Sequence, residues 1–516
     1  MNTKTTLVDK DTFKVITKAT NKAVDFVRPT YGPAGYKVII DKLTHKTVLD
    51  DGVQVMRDLE FEDPAENAVL RRIREVSGKT SDRVGDGTTG ALIVLQGIIN
   101  EVAKKSRFNS RNVEIELRKG FEEFKLKITK QAKQIKTRED LKKVALVSFD
   151  NEEIAEMISG LYHKLGKDAT ITVDNSGSLD TYAEISEGIN IPSGYISPYM
   201  VNNQERMECV VDKPYILITD YRLTEATDIT PIMDKLLTEK LVGAGKSGLV
   251  IIAENVEQHA LATMVINLSH VMNPQTQKLG PMMSVAVVAP KDDRAVTLED
   301  IAIQTGARVF STDKGSKLEN VNIADLGRAD KFVAKREESF IIGPKGKKGN
   351  VENAVKALEA NIKNEKDEKK QKVFEGRLAK FTNKIATIKV GAPTDIEQKA
   401  LKKKIENSVN STKTAFNSGV VAGGGISLAR IKTTSPILNE ALKLPHRQLM
   451  ENMGLEDAVV GGTDAFNVVT EEYGNFMEIG VMDPLDVLVA GAESAVSIAC
   501  VLITSCGIIV ETQEKE

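Results

Sequence analysis

The chain has 516 residues, a net charge of -3, no tryptophan and only 5% aromatic residues. That length exceeds one ordinary core, so two to four domains of about 100–200 residues are expected, with cores built from aliphatic side chains and alanine. The balance of 41% hydrophobic and 28% charged residues, with pI near 6.1, excludes a broad basic field that would attract nucleic acid or anionic lipid.

The opening MNTKTTLVDKDTFK has neither the apolar core of a secretory signal nor the arginine content of a transit peptide. Apolar positions three and four residues apart predict helices over 8–28 and 64–81. Between them, TYGPAGYKVIIDK and HKTVLDDGVQV read as a turn, a short β-branched strand, a turn and a second strand. After SDRVGDGTT comes GALIVLQGIINEVAKK, apolar enough for a buried helix, and helical pattern continues to about residue 165. The middle of the chain alternates strand-like runs (ATITVDN, TYAEIS, ECVVDKPYILITD, GLVIIAE, SVAVVAP, RVFST, KFVAKREESFIIG) with helical ones (TDITPIMDKLLTEKL, EQHALATMVINLSHVM), which is α/β logic. NEKDEKKQKVFEGRLAKF reads as a solvated helix face or helical hairpin, and from residue 397 the chain is helical again, with Pro484 near a final helix start. Helical halves thus flank an α/β insert, and if they form one domain its parts must meet across that insert.

Three cysteines (Cys209, Cys500, Cys506) form no CxxC pair and have no histidine at metal spacing, so they read as reduced thiols in a cytosol-like compartment. The five histidines (His45, His163, His259, His270, His446) are scattered, which argues against a histidine-based metal site. The most apolar run, Ser494 to Val510, falls short of the ~20 apolar residues that a membrane span needs and reads as a buried core helix.

Four glycine-containing clusters carry candidate chemistry. Gly85-Asp86-Gly87-Thr88-Thr89 leads into a helix: its glycines allow close backbone approach, the helix start favours phosphate, and the carboxylate suits Mg2+. The same pentapeptide also reads as a plain turn with a threonine cap. Thr30-Tyr31-Gly32-Pro33-Ala34-Gly35 is a second cluster or a tight turn, and Asp50-Asp51-Gly52-Val53 places an acidic pair on a turn between strands. Gly419 with Gly423, Gly424 and Gly425 either cradles a nucleotide or packs closely. Gly243-Ala-Gly-Lys246-Ser247 is a decoy: a P-loop needs glycine where Lys240 stands, with a strand before and a helix after, so this is a helix-to-strand turn.

In this order RPTYGPAGYKVIIDK, TVLDDGVQVMRDLEFEDPAENAVLRRIREVSGKTSDRVGDGTT, GYISPYM, ENVEQHALATMVIN, GVVAGGGISLAR and TEEYGNFMEIGVMDP resemble segments of the group I (GroEL-like) chaperonins, over roughly residues 8 to 511. The resemblance implies a multidomain α and α/β fold. A helical equatorial ATPase domain would comprise 1–132 and 418–516, a small intermediate domain 133–187 and 385–417, and an α/β apical domain 188–384. It implies ATP and Mg2+ as cofactors, a homo-oligomeric ring, seven-membered and single or double, enclosing non-native polypeptides, and a GroES-like lid. Neither nucleic acid nor membrane is expected as a partner, and the location would be cytoplasmic, or host-cell cytoplasm for a viral source.

By the same resemblance Asp86 is the Mg2+ ligand, Gly85, Gly87, Thr88 and Thr89 form the phosphate loop, and Thr30, Tyr31, Gly32 and Pro33 run along the nucleotide. Asp51 helps to position the attacking water, Gly423 and Gly424 lie at the ribose and base, and Asn467, Val468 and Asp483 hold adenine and ribose. Tyr195, Tyr199, Met200, Met233, Leu261, Val265 and Ile266 match cavity-facing apolar positions that bind clients, the last three on one helical face. Without the family context that helix is an ordinary amphipathic core helix.

The chain departs from the family most at Asn407, where a catalytic aspartate is expected. An amide carries no charge and is a poor base, and Glu406 beside it is turned away by about 100°. ATP is therefore expected to bind while hydrolysis is slow. Asp50 replaces a lysine and is expected to alter monovalent-ion use, K+ included, or to recruit a cation. Gly90 replaces a threonine, Asn383-Lys384 replaces paired hinge glycines, Thr230 replaces an apolar cavity residue, about seven residues are added near NPQTQKLG, and the chain stops at ETQEKE without a Gly-Met-rich tail. An ATP-driven foldase is the first reading, and an ATP-binding holdase or scaffold with little hydrolysis the second. A small-molecule enzyme has no nucleophile–base pair in the insert to support it.

Overall fold

The computed structural model describes the chain except for residues 1–2, 9, 34, 42–45, 50–51, 106–107, 168, 205, 244–246, 273–277, 292, 366, 456–464 and 513–516. It divides into two compact units, one of residues 1–169, 173–182 and 389–516, the other of 170–172 and 183–388.

The first unit is helical, and its core draws on both ends of the sequence. The Thr88–Ala103 helix (TTGALIVLQGIINEVA) is apolar on nearly every face and is buried along most of its length, as an all-round apolar helix must be. The helices Lys10–Val27, Pro64–Val84 and Leu485–Thr504 pack against it, Ser110–Thr129 packs on Leu485–Thr504, and all contribute to one continuous core. Leu485–Thr504 is long and apolar enough to cross a bilayer, yet 72% of its most apolar window is buried inside the protein. Small residues let the helices approach closely: a Cβ on Gly97 would lie 2.9 Å from the Ala441 Cα. Near the termini, Thr3–Val8 pairs antiparallel with Gly507–Thr512, and Val420–Ala422 pairs with Met482–Pro484. The flanking halves do meet across the insert.

Two expected elements are corrected here. The apolar run of residues 494–510 is not one buried helix: the helix ends at Thr504, and Gly507–Thr512 is a strand on which Ile509 is exposed. GVQV reads as a strand by alternation, but Gly52–Asp58 is a helix whose buried residues are Gly52, Val53, Val55 and Met56. That spacing is helical, and packing against the central helix overrides the β-branched propensity. A Cβ on Gly52 would come 2.2 Å from Thr89 Oγ1, so only glycine lets this helix start so close to Thr89.

The second unit is built on a mixed sheet. Leu249–Ala253, buried at every position, lies between Tyr215–Thr219 and Ser284–Val288 in parallel. The sheet continues antiparallel through Gly327–Ala334, Ser339–Pro344 and Tyr182–Ile191. Residues buried on both faces suit parallel strands covered by helices. The charged segment forms the helix Glu368–Thr382, which follows the helix Lys348–Asn364 and packs against it. Arg377 ties Glu368–Thr382 to the buried Asp300 through two bonds of 2.9 and 2.7 Å.

Candidate functional site

The glycine-rich motifs of the first unit lie together. Gly85 and Gly87 both have left-handed backbones (φ +71° and +77°), flanking Asp86. Gly87 is the N-cap of Thr88–Ala103 and supplies no capping side chain, so the helix start keeps N–H groups for an acceptor from outside the helix. No side chain fits at either glycine: a Cβ would come 2.5 Å from Asn410 Nδ2 at Gly85 and 2.4 Å from Val487 Cγ1 at Gly87. Asp86 Oδ1 accepts from the Gly87 N–H at 2.6 Å, and Oδ2 accepts from the Ser148 hydroxyl at 3.4 Å.

The Thr30–Pro33 segment closes one side. Thr30 Oγ1 donates to the Val27 carbonyl at 2.8 Å, Asn452 donates to the Tyr31 carbonyl at 2.8 Å, and Gly32 (φ +87°) lies against Leu449. The Tyr31 ring passes next to Gly90, where a Cβ would be 3.6 Å away. Space therefore does not demand the glycine at this position.

The other side is the Gly423–Gly425 turn. A Cβ on Gly423 would come 3.1 Å from Asp483 Oδ1, and one on Gly424 would sit 4.0 Å from the Phe466 carbonyl. The N–H groups of Gly424 and Gly425 donate to the Asp483 carboxylate, and His446 Nδ1 bonds the Gly424 carbonyl at 2.8 Å. Asn467 ends the strand next to Gly424, its Oδ1 accepting from Val469 N and Thr470 N at 2.9 and 3.2 Å. Val468 is buried.

The electrostatics bind these parts into one site. Asp483 keeps some solvent exposure as a residue. Yet burial of its carboxyl group, then the nearby Asp86 carboxylate, push it up to about 7 against the two glycine N–H donors. Burial, then Asp483 and Asp86, also raise the Tyr31 phenol. Two carboxylates, hydroxyls and an uncapped helix start form an all-oxygen and N–H donor set that fits a hard divalent cation with phosphate. Asp86 is the carboxylate beside the helix start, and the glycine cradle leaves no room for side chains there.

Asn407 lies on the Asp395–Ser418 helix, one turn before the Asn410 that touches Gly85. Asp51 and Asp50 lie outside the described residues, as do Ala34 and the center of the Gly243–Ser247 turn. Ser148, Asn410, His446, Asn452 and Val487 complete the site without belonging to any motif. They come from four separate stretches, so no local signal marks them.

In the second unit the expected client-binding set divides. Tyr199 (68% exposed) and Ile266 (41%) face solvent, and Tyr195, Leu261 and Val265 are half-buried. Met200 and Met233 are corrections: at 0% and 2% exposure they belong to the core. Met200 Sδ accepts from Ala286 N at 3.3 Å. Met233 lies on the inner face of Thr230–Thr238 with Ile232 and Leu236. The helix carrying Leu261 stops at Ile266, where Asn267 caps it, and the added residues near NPQTQKLG lie largely outside the described ones.

The sequence model of the TCP-1/cpn60 chaperonin family matches residues 24–513. The fold is similar to that of chaperonin gp146 from bacteriophage EL 2 (Pseudomonas aeruginosa), crystallised in the presence of ATP-BeFx. Crystal form II superposes with a TM-score of 0.67 at 20% identity, over 98% of this chain and 99% of that one. Crystal form I gives 0.62 at the same identity and coverage.

Proposed function

Because the chain belongs to the TCP-1/cpn60 chaperonin family, we propose that it is an ATP-dependent chaperonin subunit that assembles into a ring, encloses non-native polypeptides and promotes their folding. The observation that carries the ATP-dependent part is the convergence of Gly85–Thr89, Tyr31, Gly423–Gly424 and Asp483 on the Asp86 carboxylate. The phage relative was crystallised with an ATP analogue, which supports the same reading.

In this reading the N–H groups of Thr88 and Thr89 and the threonine hydroxyls receive phosphate oxygens, and Asp86 holds Mg2+. When bound, the ion neutralises charge on the phosphates. Gly423, Gly424, Asn467, Val468 and Asp483 accept the nucleoside, and Thr30–Pro33 line its other side. Asp51 and Asn407 orient water, with Asn407 unable to take its proton. Tyr199, Ile266 and their half-buried neighbors Tyr195, Leu261 and Val265 offer clients non-directional apolar contact. Titration calorimetry with ATP, and negative-stain images with and without it, test this reading. A lone subunit with no affinity for adenine nucleotides refutes it. The cytoplasm, a heptameric ring, K+ as an additional ion and a lid protein belong to the same proposal.

A second reading, an ATP-binding holdase, is favoured by Asn407 itself. Steady-state turnover measured with and without denatured client separates the two. Background turnover together with suppressed client aggregation selects the holdase.

A further inference from the structure

We propose that Ser148 is a positioning residue for Asp86, its hydroxyl fixing the plane of the carboxylate that would hold a divalent cation. The inference rests on the nucleotide reading of this site.

An aspartate carboxylate turns easily about its last torsion, whose wells are broad and two-fold. One donor on each oxygen removes that freedom. Among the described residues, Asp86 takes a donor on each oxygen: Gly87 N–H at 2.6 Å on Oδ1 and, from a separate helix, Ser148 Oγ at 3.4 Å on Oδ2. The 3.4 Å contact is longer than the 2.5–2.7 Å or so of a strong hydroxyl–carboxylate bond, and such bonds tighten when the ligand arrives.

Ser148 is not on a loose segment. It is the last residue of the Arg138–Ser148 helix, which is capped by reciprocal Thr137–Asp140 bonds and buries Leu141, Val144 and Ala145. Ser408 Oγ donates to the Ala145 carbonyl at 2.9 Å, pinning the same turn. Toward the other carboxylate, Lys143 Nζ donates to the Met477 and Glu478 carbonyls at 3.1 and 3.3 Å, a few residues before Asp483. One packed helix thus touches both carboxylate-bearing sides of the site, which presets the hydroxyl. A hydroxyl also orients the carboxylate without cancelling its charge, as a lysine in its place would.

The experiment uses full-length protein in its native assembly, with wild type, Ser148→Ala and Ser148→Thr. A fluorescent ATP analogue at fixed concentration is titrated with Mg2+, and binding is read by fluorescence without any turnover. Partners that orient a ligating carboxylate are typically worth 10- to 100-fold in metal affinity, so Ser148→Ala is expected to raise the half-saturating Mg2+ concentration about tenfold. Ser148→Thr keeps the hydroxyl and should stay within about twofold of wild type. Binding in EDTA should be the same for all three. Wild-type Mg2+ dependence in Ser148→Ala, or an equal loss in Ser148→Thr, overturns the proposal alone. A wild-type protein that binds no ATP analogue at any Mg2+ concentration overturns the nucleotide reading, and this proposal with it.

Discussion

Replacing Asn407 with aspartate should speed ATP hydrolysis, and the helix geometry sets how much. Asn407 and Asn410 lie three residues apart on Asp395–Ser418, so they are separated by about 4.5 Å along the axis and roughly 60° around it. The rotation of this helix is fixed from its other side: Ser408 Oγ bonds the Ala145 carbonyl at 2.9 Å and the Tyr162 hydroxyl bonds the Val409 carbonyl at 3.1 Å. Residues 407 and 410 therefore share the side on which Asn410 meets Gly85. A carboxylate at 407 adds a base where there is now an amide, and general-base catalysis contributes roughly 10²- to 10⁴-fold, about 2.7–5.5 kcal/mol. Against this, a new carboxylate on the side of the helix that meets Gly85 is repelled by the Asp86 carboxylate, which offsets part of that gain. The net expectation is roughly 10- to 100-fold. Single-turnover hydrolysis of preloaded ATP by rapid quench measures it. Equal rate constants with unchanged ATP affinity would refute the role given to residue 407. Glu406→Gln serves as the companion: if it abolished the residual turnover, Glu406 rather than residue 407 would carry the base.

Three further outcomes follow from the same structure. The Asp483 carboxyl is raised from 3.8 to about 7, so its contribution to stability is fully present below about pH 4 and is lost as pH rises through about 7. Asp483→Asn should remove that slope from the thermal midpoint of the nucleotide-free protein, and an unchanged profile would show that the group is not perturbed. Met233→Ala should destabilise by about 2–5 kcal/mol through a core cavity, whereas Tyr199→Ser and Ile266→Ser should leave unfolding within about 0.5 kcal/mol of wild type while weakening capture of a denatured client. Client capture that falls with Met233→Ala, at a temperature where the variant is folded, would restore Met233 to the binding surface. Arg377→Leu strands the Asp300 side chain, only 4% exposed, at a cost of about 3–5 kcal/mol. Limited proteolysis should then cut residues 348–382 faster, and wild-type resistance would count against the anchoring role.

Much of the candidate site was legible because its turns need glycine. Gly85, Gly87 and Gly424 hold left-handed backbones, and at Gly85, Gly87 and Gly423 the space for a Cβ is already taken. Such positions leave a signature in a single sequence that a packed leucine does not. The strands of the second unit were equally plain, since Leu249–Ala253 is buried at every position and its sequence has no polar residue to confuse the reading. The helix at Gly52–Asp58 was not legible, because Val53-Gln54-Val55 alternates like a strand while its burial follows a helical face. A few residues cannot distinguish the two periods, and tertiary packing decides.

Met200 and Met233 went astray for a different reason. Family position tells where a residue lies in the chain, but exposure depends on which face of a short element turns inward. Met200 ends the three-residue turn Pro198–Met200, in which Tyr199 projects outward and Met200 inward, so adjacent residues have opposite fates. Ser148 illustrates the remaining limit. Nothing in ALVSFDN distinguishes its hydroxyl from that of any serine ending a helix, and the Asp86 it meets is 62 residues away. One donor to Asp86, the Gly87 N–H, is its own neighbor in sequence, whereas the Ser148 hydroxyl comes from a separate helix. The second donor is therefore the part of such a site that only the folded chain reveals.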